Sequence, residues 1–163
     1  MNTEFDIQEN KDNSKITLLN ADAVEFVNQR DRLKLELQAF LTPYSPKEYI
    51  EHKIDIFLTE DKKSGFGVTL KHELVSLFSL EAKRGPKLVQ LAIEKGVTHL
   101  TCIGDKLLVL YKNAGFEIAK AEAWNPDYAP KYWNYEKFGS PKVFTMVLPG
   151  KYNPEIEHPT ILP

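Results

Sequence analysis

Apolar residues change period twice along the chain. After a short first strand expected at residues 16–19, residues 20–41 carry a helical repeat, with Phe26, Leu33, Leu37 and Phe40 near one face. Asp22-Ala23-Val24-Glu25 has the spacing of a capping box at its start. A second helix opens at Ser45, where Pro46 suits the first helical position and Glu48 can reach back to the cap N–H. From Ile54 the period falls to two. Residues 54–58, 66–70 and 74–80 read as strands joined by the turn-rich 60–65 and the tight Lys71-His72-Glu73, an antiparallel meander. The helical period then returns at residues 86–95, with Leu88, Leu91 and Ala92 on one side and Gly96 as C-cap. Residues 97–103 form a buried strand, 106–113 a short helix closed by Gly115, and 116–121 and 142–148 the last two strands.

An antiparallel meander followed by a strand–helix–strand crossover predicts an α/β (α+β) fold, one mixed, mostly antiparallel sheet with helices on both faces. A single domain over residues 16–148 is expected, with a polar flexible arm at 1–15 and a Pro-rich extended tail at 149–163. At 163 residues and 42% hydrophobic content, such a domain can bury a core without disulfides or metal. The single cysteine, Cys102, excludes an intrachain disulfide framework and fits a reducing compartment. No basic–apolar leader opens the chain, and its apolar runs stop far short of the ~20 residues a membrane span needs. A cytoplasmic protein with no membrane association is the expectation. A net charge of −2 argues against nucleic acid as its main partner.

Several chemistries are missing. The chain has no nucleophile elbow and no phosphate-binding P-loop, and Gly65-Phe66-Gly67 lacks the third glycine of a dinucleotide fingerprint. His52, His72, His99 and His158 stand apart, without the spacing of a zinc site, so no metal is expected. The informative stretch is Leu80-Glu81-Ala82-Lys83-Arg84-Gly85-Pro86-Lys87, where a strand ends, a glycine follows and a helix begins among three cations. Unpaired N–H groups, the positive end of the helix dipole and Lys83, Arg84 and Lys87 make a seat for a phosphate or pyrophosphate. The competing reading is a plain helix start with solvated lysines.

This strand–basic loop–helix unit, the order of elements, and Leu110-Tyr111-Lys112-Asn113-Ala114-Gly115-Phe116 resemble the GNAT superfamily of acyl-CoA N-acyltransferases, over residues 54–148. The second motif, L-Y-x-x-x-G-F, is matched in full. The pyrophosphate loop R/Q-x-x-G-x-G/A is not, because Lys87 and Val89 stand where glycines belong when Arg84 is aligned, and Gly104-Asp105 replaces a frequent Asn. Tyr128-Ala129-Pro130-x-x-Trp133 is similar to certain bacteriophage-encoded members, which would put the protein in a host cytoplasm or a virion. The resemblance implies that the fourth and fifth strands splay apart and hold acetyl-CoA or CoA, without metal. Phe78, Ser79 and Leu80 would then pair with pantetheine and polarise the thioester, while Lys83, Arg84, Gly85, Lys87 and Leu88 would hold the pyrophosphate. Direct attack by an amine of a small molecule or protein follows, with Tyr111 at the position that protonates the leaving thiolate. For the base, Glu73 stands at a hairpin turn where exposure is expected, Glu81 lies nearer the carbonyl but can offset Lys83 and Arg84, and His99 reads as a core histidine.

Seven aromatic residues fall between Trp124 and Phe144, in a segment stiffened by Pro126, Pro130 and Pro141. Trp124, Tyr128, Tyr132 and Trp133 suit recognition of a substrate or protein partner; equally, the segment can fold back over the sheet edge. An alternative function follows from the degenerate loop: a fold that no longer binds CoA and serves as an interaction or virion-associated module, docking a partner or a second copy through the aromatic segment and the tail.

Overall fold

The computed structural model describes residues 16–153. The arm at 1–15 and the tail beyond 153 lie outside the described residues. Seven strands, β1 (Leu18–Asn20), β2 (Asp55–Thr59), β3 (Ser64–Val68), β4 (Glu73–Ser79), β5 (His99–Ile103), β6 (Glu117–Glu122) and β7 (Val143–Val147), form one sheet in the order β1-β2-β3-β4-β5-β7-β6. Only β4 and β5 run parallel; every other neighbouring pair is antiparallel. The helices are α1 (Ala23–Arg30), α2 (Leu35–Gln38), α3 (Pro46–Glu51), α4 (Gly85–Glu94), α5 (Asp105–Asn113) and α6 (Tyr135–Phe138). They cover both faces of the mixed sheet.

One face carries α4 and α5. Val89 and Ala92 of α4 and Tyr111 of α5 pack on Phe66, Leu74, Leu100, Cys102 and Met146. The other face carries α1 and α3, where Phe26 and Tyr49 bury against Ile54, Ile56, Leu58 and Phe78. Farther along that face, Ala39, Ile103 and Trp133 centre a small cluster with Phe40, Trp124 and Phe138.

Local chemistry explains most boundaries. Ser45 and Glu48 close the reciprocal capping box at α3. Asp22 accepts from the N–H groups of Val24 and Glu25, whereas the Glu25 carboxylate goes to Lys62 at 2.9 Å, so that box is one-sided. Gly96 and Gly115 take the positive φ that ends α4 and α5. The helical repeat of residues 20–41 does not give one helix. It breaks after Arg30, whose buried guanidinium donates to the Tyr44 carbonyl at 2.7 Å and the Tyr49 hydroxyl at 3.0 Å and folds the chain back. β3 starts at Ser64, earlier than the alternation suggests. A Cβ at Gly65 would lie 2.4 Å from the Phe57 carbonyl oxygen, so a glycine expected in a turn instead admits the neighbouring strand.

Candidate active site

The sheet opens where its parallel pair should close. Along β4 and β5 only Glu73 with His99 and Leu74 with Leu100 stay in register; beyond them the strands part. A kink in β4 accompanies the parting. Ser76 has φ +57°, a left-handed conformation that costs a non-glycine residue about 1–2 kcal/mol. The Tyr49 hydroxyl meets the Ser76 hydroxyl at 2.6 Å, and Arg30 donates to Tyr49, so α1 and α3 hold the bulge in place.

Strand alternation decides which amides face the gap. Leu80 N–H donates to the Lys63 carbonyl at 2.7 Å and Phe78 sits opposite Gly65, so both face β3. The main-chain groups of Leu77 and Ser79 therefore point away from β3, into the opening. Of the three strand residues expected to meet pantetheine, Ser79 has this orientation; the Phe78 and Leu80 amides are turned toward β3.

The opening is a cleft of about 310 Å³ that passes between the faces. On the α4/α5 face it is lined by Leu77, Cys102, Leu107 and Tyr111; on the other by Leu33, Leu37, Phe40, Leu41, Tyr44, Glu73 and Phe138. Tyr111 is buried, its ring edge against Phe116 at 5.9 Å. Its hydroxyl makes no hydrogen bond within the described residues, and it is not sealed in the core either. Burial pushes this phenol above its ordinary range, with the Cys102 thiol adding to the effect, so it stays protonated.

Glu73 is not the exposed turn residue that its position suggests. The turn is already closed by His72 N–H to the Thr69 carbonyl, so Glu73 opens the strand and is only 3% exposed. It lines the cleft and, after burial itself, helps raise the Tyr44 phenol. His99, its register partner, is fully buried against Tyr152. Glu81 lies outside the cleft lining and pairs with Lys63 at 2.9 Å on the surface.

The basic loop differs from the expectation at its central residue. Arg84 forks onto Asp61 at 2.6 and 3.1 Å and donates to the Ser64 hydroxyl, tying the β2–β3 turn to the start of α4. Its guanidinium is thus paired within the fold. Leu88 is core, and its N–H already donates to the Arg84 carbonyl. Lys83 is exposed and Lys87 half-buried at the mouth of α4, whose first turn has no side-chain cap. Gly85 lies against Leu110, where a Cβ would sit at 3.3 Å. Arg84 holds the Asp61 carboxyl well below the usual carboxylate range, with Thr59 and Lys63 N–H reinforcing it. Such a group stabilises the fold above its unfolded pKa of about 3.9, and that contribution disappears as pH falls toward the folded value. In Asp61→Asn we expect a loss of about 1 kcal/mol at pH 7, discounted for the partly exposed carboxylate. The gap between urea titrations of the two proteins should narrow progressively as pH falls below about 4; a gap independent of pH would contradict the pairing.

Cys102 borders the cleft, but burial pushes its thiol up to about 12. The thiol therefore stays protonated at neutral pH and is a poor nucleophile.

The aromatic segment folds back. Trp133 packs between Trp124 at 4.6 Å and Phe40 at 5.0 Å, both rings tilted to it, and its indole N–H donates to the Gly139 carbonyl at 2.9 Å. Lys137 and Asn134 reach Glu36 on α2. Trp124 and Trp133 are thus packing residues, while Tyr128 and Tyr132 are exposed and away from the cleft; Phe138 alone represents the segment on its wall. The periodicity also concealed the partial roof that Leu33, Leu37, Leu41 and Tyr44 form, because helical spacing alone does not show where a helix will break.

Among the described residues no group of three or more acidic, His or Cys side chains could hold a metal ion, and no helix is long and apolar enough to cross a membrane. No protein-family model and no curated protein matches the chain. Solved structures do. The ribosomal-protein-S18-alanine N-acetyltransferase from Escherichia coli aligns at 15% identity and TM-score 0.51, over 85% of this chain and 95% of its own. A GNAT-superfamily phosphinothricin acetyltransferase from Sinorhizobium meliloti, in complex with AcCoA, aligns at 12% identity and TM-score 0.51, over 83% and 90%. A Bacillus subtilis acetyltransferase in complex with CoA aligns at 15% identity and TM-score 0.51, over 82% and 98%. With its parted parallel pair and kinked fourth strand, the chain has the fold of the GNAT-superfamily acetyltransferases.

Proposed function

We propose that the protein is an N-acetyltransferase that passes the acetyl group of acetyl-CoA directly to an amine. The observation that carries this reading is the cleft itself: two parted strands, outward main-chain groups at Leu77 and Ser79, and Tyr111 on the lining of the same space. The bound thioester supplies an activated acetyl carbonyl. Leu77 and Ser79 can hydrogen-bond the donor's amide groups and the carbonyl oxygen, and such preorganised donors are worth most where water is excluded. Glu73, on the opposite wall, takes the proton that the amine loses as its C–N bond forms. The C–S bond breaks, and Tyr111 donates a hydrogen bond to the sulfur. A thiol of ordinary pKa, about 8.5, is the stronger acid, so the phenol supports the thiolate and does not ionise in its place. Lys83, Lys87 and the uncapped start of α4 bind the pyrophosphate without help from Arg84.

The fork between Arg84 and Asp61 is the observation favouring the second reading, a fold that has lost CoA and serves as an interaction module. Calorimetry separates the two. Acetyl transfer requires CoA binding in the micromolar range, weakened at least tenfold in Lys83→Ala/Lys87→Ala. Absence of heat with both CoA and acetyl-CoA would leave the interaction module.

A further inference from the structure

We infer that Tyr49 is a positioning residue for the thioester site: its hydroxyl keeps Ser76 in the left-handed form of a β4 bulge and so sets where the Leu77 N–H points. The consequence for catalysis rests on the acetyl-transfer reading. Between the Gly65–Phe78 and Gly67–Val75 pairs, β3 has one residue, Phe66, and β4 has two, Ser76 and Leu77. That count is a β-bulge with Ser76 at its first position. Such a bulge has two common forms. In one the first residue lies near the right-handed helical region; in the other it is left-handed and ordinarily glycine. Ser76 takes the left-handed form, at φ +57°, although it carries a Cβ. The peptide that follows, with the Leu77 N–H, turns with this choice.

Packing fixes the extra residue but not its form. Val75 and Phe78 pack on the α1/α3 face, Leu74 and Leu77 on the α4/α5 face. Removing the bulge would slip the register by one and turn one of these pairs over. What selects the left-handed form comes from the helices. The Tyr49 ring, 1% exposed, is held by Phe26 at 5.3 Å and Tyr44 at 5.1 Å. Arg30 donates to the Tyr49 oxygen at 3.0 Å, and a guanidinium accepts nothing in return. The phenol proton is thereby directed to the Ser76 oxygen, 2.6 Å away. A charge-assisted chain runs from guanidinium to phenol to the bulge. The same Arg30 nitrogen donates to the Tyr44 carbonyl at 2.7 Å, and both Tyr44 and Ser76 line the cleft. One buried cation thus ties the roof of the cleft to its bulged strand.

The test compares Tyr49→Phe, Ser76→Ala, Ser76→Gly and the double variant Tyr49→Phe/Ser76→Gly with the wild type, all as the full chain. NMR coupling constants read the sign of φ at residue 76, and calorimetry reads CoA binding. Ser76→Ala and Ser76→Gly lose the same hydroxyl and differ by one Cβ, so a lost hydrogen bond alone does not separate them. A positive φ is expected in the wild type, in Ser76→Gly and in the double variant, with CoA dissociation constants within about threefold of one another. In Tyr49→Phe and Ser76→Ala, residue 76 should leave the left-handed region. CoA binding should then weaken at least fivefold, the lower end of the ~5–30-fold that the left-handed penalty represents. If Tyr49→Phe does not fold, Ser76→Ala against Ser76→Gly decides. A φ that stays positive in Tyr49→Phe, or in Ser76→Ala where that variant decides, overturns the inference; so does equal CoA binding by all the proteins. If φ responds as expected but CoA binds none of them, the wild type included, the acetyl-transfer reading falls and the hold of Tyr49 on the bulge stands.

Discussion

Replacing Tyr111 by phenylalanine should lower kcat about 10²-fold and leave both the fold and CoA binding in place. The expectation follows from what the hydroxyl does and does not touch. It makes no hydrogen bond within the described residues, so its removal strands no partner. The ring stays in the core against Phe116, and the melting temperature should move by no more than about 1 °C. On the proposed acetyl transfer, what is lost is a donor to the sulfur as negative charge develops there, and removal of one preorganised donor typically costs about 10²–10³ in kcat. Because burial holds the phenol above its ordinary range, no ionisation of Tyr111 should appear in the pH–rate profile below about pH 10. A Tyr111→Phe protein with wild-type kcat would remove this residue from the chemistry.

Truncating Trp133 should destabilise the fold severely, by about 3–5 kcal/mol for Trp133→Ala. The indole is 9% exposed, and it packs against Trp124, Phe40 and Phe138 while donating to Gly139. Trp133→Phe should recover much of that loss but not the hydrogen bond, leaving a deficit of about 1–2 kcal/mol. Phe40 and Phe138 border the cleft, so a rise in amine KM is expected as a consequence of loosened packing. Urea unfolding at fixed pH measures the difference. A Trp133→Ala protein of wild-type stability whose amine KM alone has risen would return the indole to the substrate wall, the role its sequence neighbourhood suggests.

How much of the molecule is legible in its sequence depends on the range of the interaction involved. The capping box at Ser45, the C-terminal glycines and the motif around Tyr111 are local patterns, and each appears where the spacing predicts. Glu73 is obscured because one residue decides between turn and strand, and the Thr69–His72 hydrogen bond makes that decision. Arg84 resembles a phosphate ligand because Asp61, its partner, is 23 residues away in the chain. Ser76 offers no sequence sign of its positive φ; that conformation is held by Tyr49 and Arg30, from two helices packed on one face of the sheet. The insertion of β7 between β5 and β6 is likewise a long-range pairing that alternation alone does not specify.

The parting of β4 and β5 is most directly examined by amide hydrogen exchange at residue resolution, on the full chain with and without CoA. Fast exchange is predicted at Leu77 and Ser79 in the free protein, because their N–H groups face the opening and not β3, with marked slowing when CoA is present. Slow exchange at both amides in the free protein, unchanged by CoA, would mean that the strands are joined there and that the cleft is no seat for a thioester.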